Sequence, residues 1–184
     1  MRIITGTARG RKLRAPEGTD VRPTSDMVKE AMFSVIQFDI PASKVLDLFS
    51  GSGQLGIEAL SRGAASCTFV DSSRASLEIT KENIAAAGFE SSSDTVLSDS
   101  AVFIENSRGI HDIVFLDPPY KKGLIEKVLP AVSERLSERG VIVCEHERGL
   151  VLPESCGTAV KKKTYRYGKI EVTVYRKSQA GESL

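Results

Sequence analysis

Between Val45 and Glu145 short apolar runs alternate with segments of helical periodicity, and this alternation limits the fold more than any other feature of the chain. Residues 45–49, 66–70, 94–97, 113–116 and 141–145 read as strands, and 55–61, 74–87, 101–105 and 124–136 as helices, with Gly88 closing the second and Pro130 disturbing the last. Strands linked through helices in this way form a mostly parallel sheet with helices on both faces. Two antiparallel pieces flank that core. Residues 2–5 and 11–14 pair across a turn holding Gly6 and Gly10. Pro16, Gly18 and Pro23 mark a loop, and a helix over 26–38 starts from a cap at Thr24 or Ser25. Met27, Ala31, Val35 and Phe38 recur in that helix at helical spacing, and Pro41 ends the entry segment. Segments 158–166 and 170–176 alternate, with Gly168 near their turn, and finish the sheet as a hairpin; a period of two puts Lys161, Lys163, Tyr165 and Tyr167 on one face. The expectation is one α/β domain: a hairpin-helix extension over 1–40 and a Rossmann-like core over 41–177.

The first core strand runs into Asp47-Leu-Phe-Ser-Gly51-Ser-Gly53-Gln-Leu-Gly56. Gly51, Gly53 and Gly56 satisfy the G-x-G-x-x-G pattern between strand and helix, and Asp71 closes the next strand twenty residues after Gly51. Such a bend lets a ligand approach the backbone closely, and Asp71 can accept from a ribose diol. The pattern serves a nicotinamide dinucleotide and S-adenosylmethionine alike. Asp47, Asp71, Asp99 and Asp117 end successive strands on one sheet edge; a cationic sulfonium tolerates that field and a dianionic pyrophosphate does not. Asp47 suits the ammonium end of the methionine moiety, directly or through water, and Asp99 an adenine amine. Taken singly, each acid also suits a helix N-cap, Asp71 above all. Phe49, Ser52, Ser72 and Ser100, which flank these glycines and acids, complete the expected cofactor contacts.

The apolar run Ile113–Leu116 stops at Asp117-Pro118-Pro119-Tyr120. Neither proline offers an N–H to a ladder, and Pro119 holds Pro118 extended, so a stiff corner forms where open α/β sheets place their sites. It offers a carboxylate, a carbonyl and an aromatic face, which fit a planar base bearing an exocyclic amine.

Charge is unevenly spread. Residues 1–22 carry six basic residues against Glu17 and Asp20, residues 161–184 carry seven against Glu171 and Glu182, and the centre is acidic. Arg9, Arg11, Lys12 and Arg22, with Lys161 and Lys163, are the expected phosphate contacts. Alternatively, Arg22-Pro23-Thr24 folds the N-terminal helix over the cofactor. Three cysteines without C-x-x-C spacing, and two histidines without metal spacing, predict no metal. No stretch approaches a membrane span and no signal-peptide pattern opens the chain, so a cytoplasmic location is expected.

Together, the run from Asp47 to Ala64, Gly6-Thr-Ala-Arg-Gly-Arg-Lys-Leu13, Arg22-Pro-Thr24, Glu30-Ala-Met-Phe33, Asp117-Pro-Pro-Tyr120 and Tyr167-Gly168 resemble the bacterial 16S ribosomal RNA guanine-N2 methyltransferase family over about residues 1–176. The resemblance implies a class I Rossmann-like methyltransferase that uses S-adenosylmethionine to modify one guanine of small-subunit rRNA, on the RNA or on an assembled particle; a monomer is expected. Asp71 stands where the family usually has Glu, and Ser50 and Gln54 replace small apolar residues. Asp117, Pro118, Pro119 and Tyr120 are then the catalytic corner. Three other readings are an adenine-N6 methyltransferase of DNA or RNA, which shares that corner, an NAD-dependent oxidoreductase, which leaves it unexplained, and a non-catalytic RNA-binding assembly factor, which has no need of the acidic strand ends.

Overall fold

The computed structural model describes residues 1–15 and 26–178. Its elements are α1 (Asp26–Val35), β1 (Lys44–Asp47), α2 (Gln54–Ser61), β2 (Ser66–Asp71), α3 (Arg74–Ala87), β3 (Ser93–Leu97), α4 (Ser100–Asn106), β4 (His111–Leu116), α5 (Leu124–Ser133), β5 (Leu136–Glu147), β6 (Ser155–Cys156), β7 (Ala159–Tyr167) and β8 (Ile170–Lys177), with a single 3-10 turn over Glu90–Ser92. One eight-stranded sheet has the order β3–β2–β1–β4–β5–β8–β7–β6. Strands β1 to β5 run parallel and the last three antiparallel. The expected Arg22 contact and the loop and cap of 16–25 lie outside the described residues.

The parallel strands are covered on both faces, which is why they read as unbroken apolar runs. Val45, Phe69, Ile113, Phe115, Val141 and Val143 meet α1, α2, α3 and the N-terminal Ile3, Ala8 and Leu13 on one face. Leu46, Leu48, Val114, Leu116, Ile142 and Cys144 meet α4 and α5 on the other. Each such side chain contributes about 1.5–3 kcal/mol on burial. The order of the strands reverses between β1 and β4, so the loops leaving these two strands open a crevice at the carboxyl edge.

Three expectations are corrected. Helix α1 ends at Val35 rather than 38 and buries Val28, Lys29, Met32 and Phe33, while Met27 is 67% exposed and Phe38, in the turn beyond the helix, 92%. The period was right and the phase one residue off, because a lysine occupies the inward stripe. Helix α5 stops at Ser133, three residues after Pro130, and Leu136 opens β5 by pairing with His111. Proline removes an N–H and crowds the preceding turn, so the helix is weakest there. In β7, Lys161 pairs with Tyr175 but Lys163 with Val174, and this bulge puts Lys161 and Lys163 on opposite faces. Lys161 Nζ donates to the Leu152 carbonyl (2.9 Å) and pairs with Glu154 (2.5 Å), whereas Lys163 lies over the Tyr165 ring (4.8 Å). Cys156 sits in β6.

The N-terminal hairpin forms as expected, with Arg2 bridged to Lys12. It is fastened to α2 by a buried carboxylate. Glu58 accepts from the Ile4 and Thr5 N–H groups (2.8 and 3.0 Å) and from Arg62 Nε (2.8 Å), and faces Lys29 Nζ at 3.6 Å. Lys29 Nζ also donates to the Arg2 carbonyl (2.6 Å). Ser61 Oγ accepts from the Ala8 N–H (3.0 Å) and donates to the Thr5 carbonyl (2.6 Å). A Cβ on Gly6 would lie 1.8 Å from the Ser61 carbonyl oxygen, so only glycine fits that contact.

Candidate active site

The glycine bend starts where β1 ends. Its carbonyls are held from α3: Thr80 Oγ1 donates to Gly51 O (2.9 Å) and Asn83 Nδ2 to Ser52 O (2.9 Å). Asn83 also exchanges hydrogen bonds with the Arg14 backbone (2.7 and 3.0 Å), and Ser52 Oγ lies 3.6 Å from Met1 Sδ. The extension therefore braces the bend. A Cβ on Gly56 would fall 2.3 Å from the Phe69 ring and 2.6 Å from Cys67 Sγ, which makes this glycine a helix-to-strand contact. Gly51, by contrast, has φ +54° and open space where a Cβ would stand.

The four predicted aspartates fall in the order Asp99, Asp71, Asp47, Asp117 along one edge, because β3, β2, β1 and β4 are parallel neighbours. Their local roles differ. Asp47 is 1% exposed, and its Oδ2 accepts from the Gly56 N–H (3.0 Å). Its carboxyl is pushed up to about 7, chiefly by burial and further by the charge of Asp71, with the Gly56 N–H opposing. Asp71 spends Oδ2 on the Gly51 N–H (2.9 Å) and Oδ1 on the Ser73 N–H (2.8 Å), while the cap of α3 is Ser73 rather than Asp71. Asp99 caps α4 through Oδ1 on the Ala101 and Val102 N–H groups (2.9 and 3.1 Å). Ser100 Oγ donates to the Leu48 carbonyl (2.8 Å), Phe49 packs beside α4 and α5, and Ser72 is exposed.

A nucleoside cofactor fits this edge by the chemistry of its donor set. Carboxylates end three adjacent strands, backbone is open at Gly51, and the buried Ser50 Oγ and Gln54 Oε1 of the bend have no partner. No group of His, Cys, Asp and Glu among the described residues is arranged to hold a metal.

Asp117 follows β4, whose Phe115 is level with Asp47 of β1. The acid-Pro-Pro-Tyr corner and the glycine bend thus leave neighbouring strands at the same edge. Tyr120 Oη donates to Glu145 Oε1 (3.1 Å), and the Lys121 N–H donates to Glu147 Oε1 (3.0 Å). Lys121 sits at φ +61°, a conformation a non-glycine residue holds only when its surroundings impose it. Burial and the carboxylates of Glu145 and Asp117 raise the Tyr120 phenol well above its ordinary value, so it stays a donor. A cavity of about 140 Å³ beside the corner is lined by Pro118, Pro119, Tyr120, Glu145 and Leu150 among others.

The basic residues divide between the two edges. Helix α2 begins at the bend, so its last residue, Ser61, lies toward the opposite edge; the Thr7 N–H donates to Ser61 O (2.8 Å), which places the hairpin turn carrying Arg9 there. Arg11 reaches the Ala86 carbonyl at the end of α3, and Lys12 is exposed beside it in the hairpin. At the carboxyl edge stand residues that the charge count did not single out. Lys121 and Lys122 line the cavity, and the Arg148 N–H donates to the Lys169 carbonyl (3.0 Å) just beyond β5. Glu58, Lys29, Asn83 and Glu145 were also missed. Only Glu145, at the end of an apolar strand beside the Asp-Pro-Pro-Tyr strand, had a positional signal.

A family model described as conserved hypothetical protein 95 matches residues 1–176. The Bacillus subtilis protein YlbH is 40% identical over 186 residues, covering 96% of this chain and 99% of that protein. The Escherichia coli protein named ribosomal RNA small subunit methyltransferase D is 34% identical over 187 residues, covering 100% and 93%. A solved structure of Escherichia coli yhhF superposes with a TM-score of 0.86 at 33% identity, covering 98% of this chain and 99% of that one.

Proposed function

The chain belongs to the conserved hypothetical protein 95 family of class I methyltransferases, and from that premise we propose that it methylates the exocyclic N2 amine of a guanine in small-subunit ribosomal RNA. At the coarser level it is an S-adenosylmethionine-dependent methyltransferase of ribosomal RNA. The observation that carries methylation of an exocyclic amine is the acid-Pro-Pro-aromatic corner beside the glycine bend at the switch point of the sheet, and the choice of guanine over adenine rests on the family resemblance. An RNA substrate agrees with a cytoplasmic location, and no helix among the described residues is long and apolar enough to cross a membrane.

The cofactor, when bound, supplies a methyl group activated on a sulfonium. Asp71 and Asp99 would hold its ribose and adenine, the open backbone at Gly51 would admit it, and Asp47 would face its cationic end, whose charge would favour the ionised carboxylate. The protein's own contribution is positioning. A guanine amine is a weak nucleophile because its lone pair is delocalised into the ring. Asp117 and the Pro118 carbonyl accept its two N–H bonds, which localises the lone pair toward the methyl and stabilises the positive charge that develops. Pro119 keeps the corner stiff, and Tyr120, held by Glu145, offers its ring for stacking. The base leaves its helical stack to reach them. Lys121, Lys122, Arg148 and Lys169 contact phosphates around the corner, and Lys163 extends that contact outward.

Labelled methyl transfer to small-subunit particles and to their free RNA, both lacking the modification, tests the reading. N2-methylguanosine in the digest is the expected product. N6-methyladenosine would select the adenine reading, and no transfer to any RNA would leave a non-catalytic RNA-binding factor. Asp117→Ala is expected to lower kcat by about 10²–10³ while S-adenosylhomocysteine affinity changes little. Unchanged kcat would remove Asp117 from the chemistry.

A further inference from the structure

We propose that Tyr167, flanked by Tyr165 and Lys163 on β7, is a stacking platform for an unpaired base of the substrate RNA that lies a few nucleotides from the target. The proposal rests on the RNA-methylation reading above and deepens it, from the target base to the strand beside it.

The register of the sheet carries the corner across to these rings. Phe115 of β4 pairs with Val143 of β5, Val143 with Val174 of β8, and Val174 with Lys163 of β7. Two residues further on, the same face holds a row that starts at Asp117, just beyond β4, and runs through Glu145 and Val172 to Tyr165. The next row joins Glu147 and Ile170 to Tyr167, so Tyr167 stands at the carboxyl edge that the Asp-Pro-Pro-Tyr corner also leaves. The order β4–β5–β8–β7 separates Tyr165 from Asp117 by three strand spacings, about 14 Å. A stacked strand advances about 3.4 Å per nucleotide, so RNA whose target lies at Asp117 brings a neighbour within about four nucleotides to these rings.

The side chains there suit a single strand. Ile170, Val172 and Val174 of β8 are 8%, 1% and 3% exposed, whereas Tyr165 and Tyr167 lean on that core and stay partly exposed. Lys163 is exposed, its ammonium lies 4.8 Å from the centre of the Tyr165 ring, and it pairs with no carboxylate among the described residues. The Arg148 N–H donates to the Lys169 carbonyl (3.0 Å), which adds two basic residues at the turn next to Tyr167. Aromatic rings on a sheet face offer stacking to any base, and cations around them hold the backbone. Apolar cover for β8 alone needs neither the rings nor the cations.

Abasic sites placed one at a time on either side of the target in small-subunit RNA test the platform, with binding measured in the presence of S-adenosylhomocysteine. At a position within about four nucleotides of the target, wild type is expected to lose about 5- to 100-fold in affinity, the range of one base–aromatic stack. Tyr167→Leu keeps apolar cover over β8; it is expected to lose as much on intact RNA, to be indifferent to that abasic site, and to act on KM rather than kcat. Its affinity for S-adenosylhomocysteine checks that the core is intact. Tyr167→Phe keeps the ring and is expected to restore the abasic penalty. Lys163→Ala is expected to keep that penalty and to lower the slope of log affinity against log salt by about one. No abasic penalty in wild type near the target, or a penalty that persists in Tyr167→Leu, would overturn the platform and leave the tyrosines as cover for β8; the first readout needs no variant to fold. A product other than N2-methylguanosine would instead end the guanine reading, and the scan, centred on whichever base is modified, would still decide the platform.

Discussion

Helix α2 has a buried carboxylate at each end, and the two are treated differently. Glu58, in the last turn, is 0% exposed and meets two cations and two backbone N–H groups. Asp47, beside the first turn, is nearly as deeply buried but has one backbone N–H and no ion pair among the described residues. Burial raises the free energy of a bare carboxylate steeply. At Glu58 the protein supplies the compensation itself, and the result is a fastener that holds the hairpin on the core. At Asp47 the compensation is left incomplete, and the carboxyl rises to about 7. A buried charge already answered by the fold is a structural element, whereas one left partly unanswered at a crevice suits a ligand of opposite sign.

The largest effect that can break this contrast is at the fastener. Glu58→Ala leaves Lys29 buried without its carboxylate and two N–H groups without an acceptor; a loss of about 3–5 kcal/mol is expected from urea midpoints. Amide exchange should then quicken over residues 1–15 first. A loss below about 1 kcal/mol would reduce Glu58 to a surface-type pair. Next comes the packing at the other end of the helix. Gly56→Ala drives a methyl into Phe69 and Cys67 and should cost about 1–3 kcal/mol.

Asp47 gives a pH signature. Its folded value of about 7 lies above the ordinary 3.8, so its protonated form contributes stability that is full below the lower value and is lost as pH rises through the upper one. Asp47→Asn should flatten the stability–pH curve between those limits, read from urea midpoints at a series of pH values. An unchanged curve would assign the pH dependence to other groups. The smallest expected effect concerns the two edges of the sheet. Lys122→Ala and Arg148→Ala should each weaken RNA binding several-fold and reduce the slope of log affinity against log salt by about one. Arg9→Ala, at the far edge, decides whether the RNA also runs along the hairpin: an equal change in slope would extend the footprint there.

Much of the architecture is legible in the residues. The boundaries of α3 match its periodicity and its terminal Gly88 to the residue, and the hairpin of β7 and β8 follows its alternation. The aspartates at successive strand ends follow from parallel strands alone. Other features resist such reading because their signal is not local. The inward face of α1 carries Lys29, which a hydrophobicity pattern sends to solvent and which Glu58, 29 residues away, and the Arg2 carbonyl make tolerable. Lys161 and Lys163 share a face under strict alternation, and one bulged residue separates them. Glu145 looks like a strand-end acid until Tyr120 is found against it.

Spacing and residue type by themselves determined the parallel core, the glycine bend and the stiff Asp-Pro-Pro-Tyr corner, because each depends on backbone preferences acting over a few residues. Which carboxylates were answered by the fold and which were left at the crevice was decided only in three dimensions. Desolvation and compensation depend on partners that are remote along the chain, and those partners meet only once the sheet has closed around them.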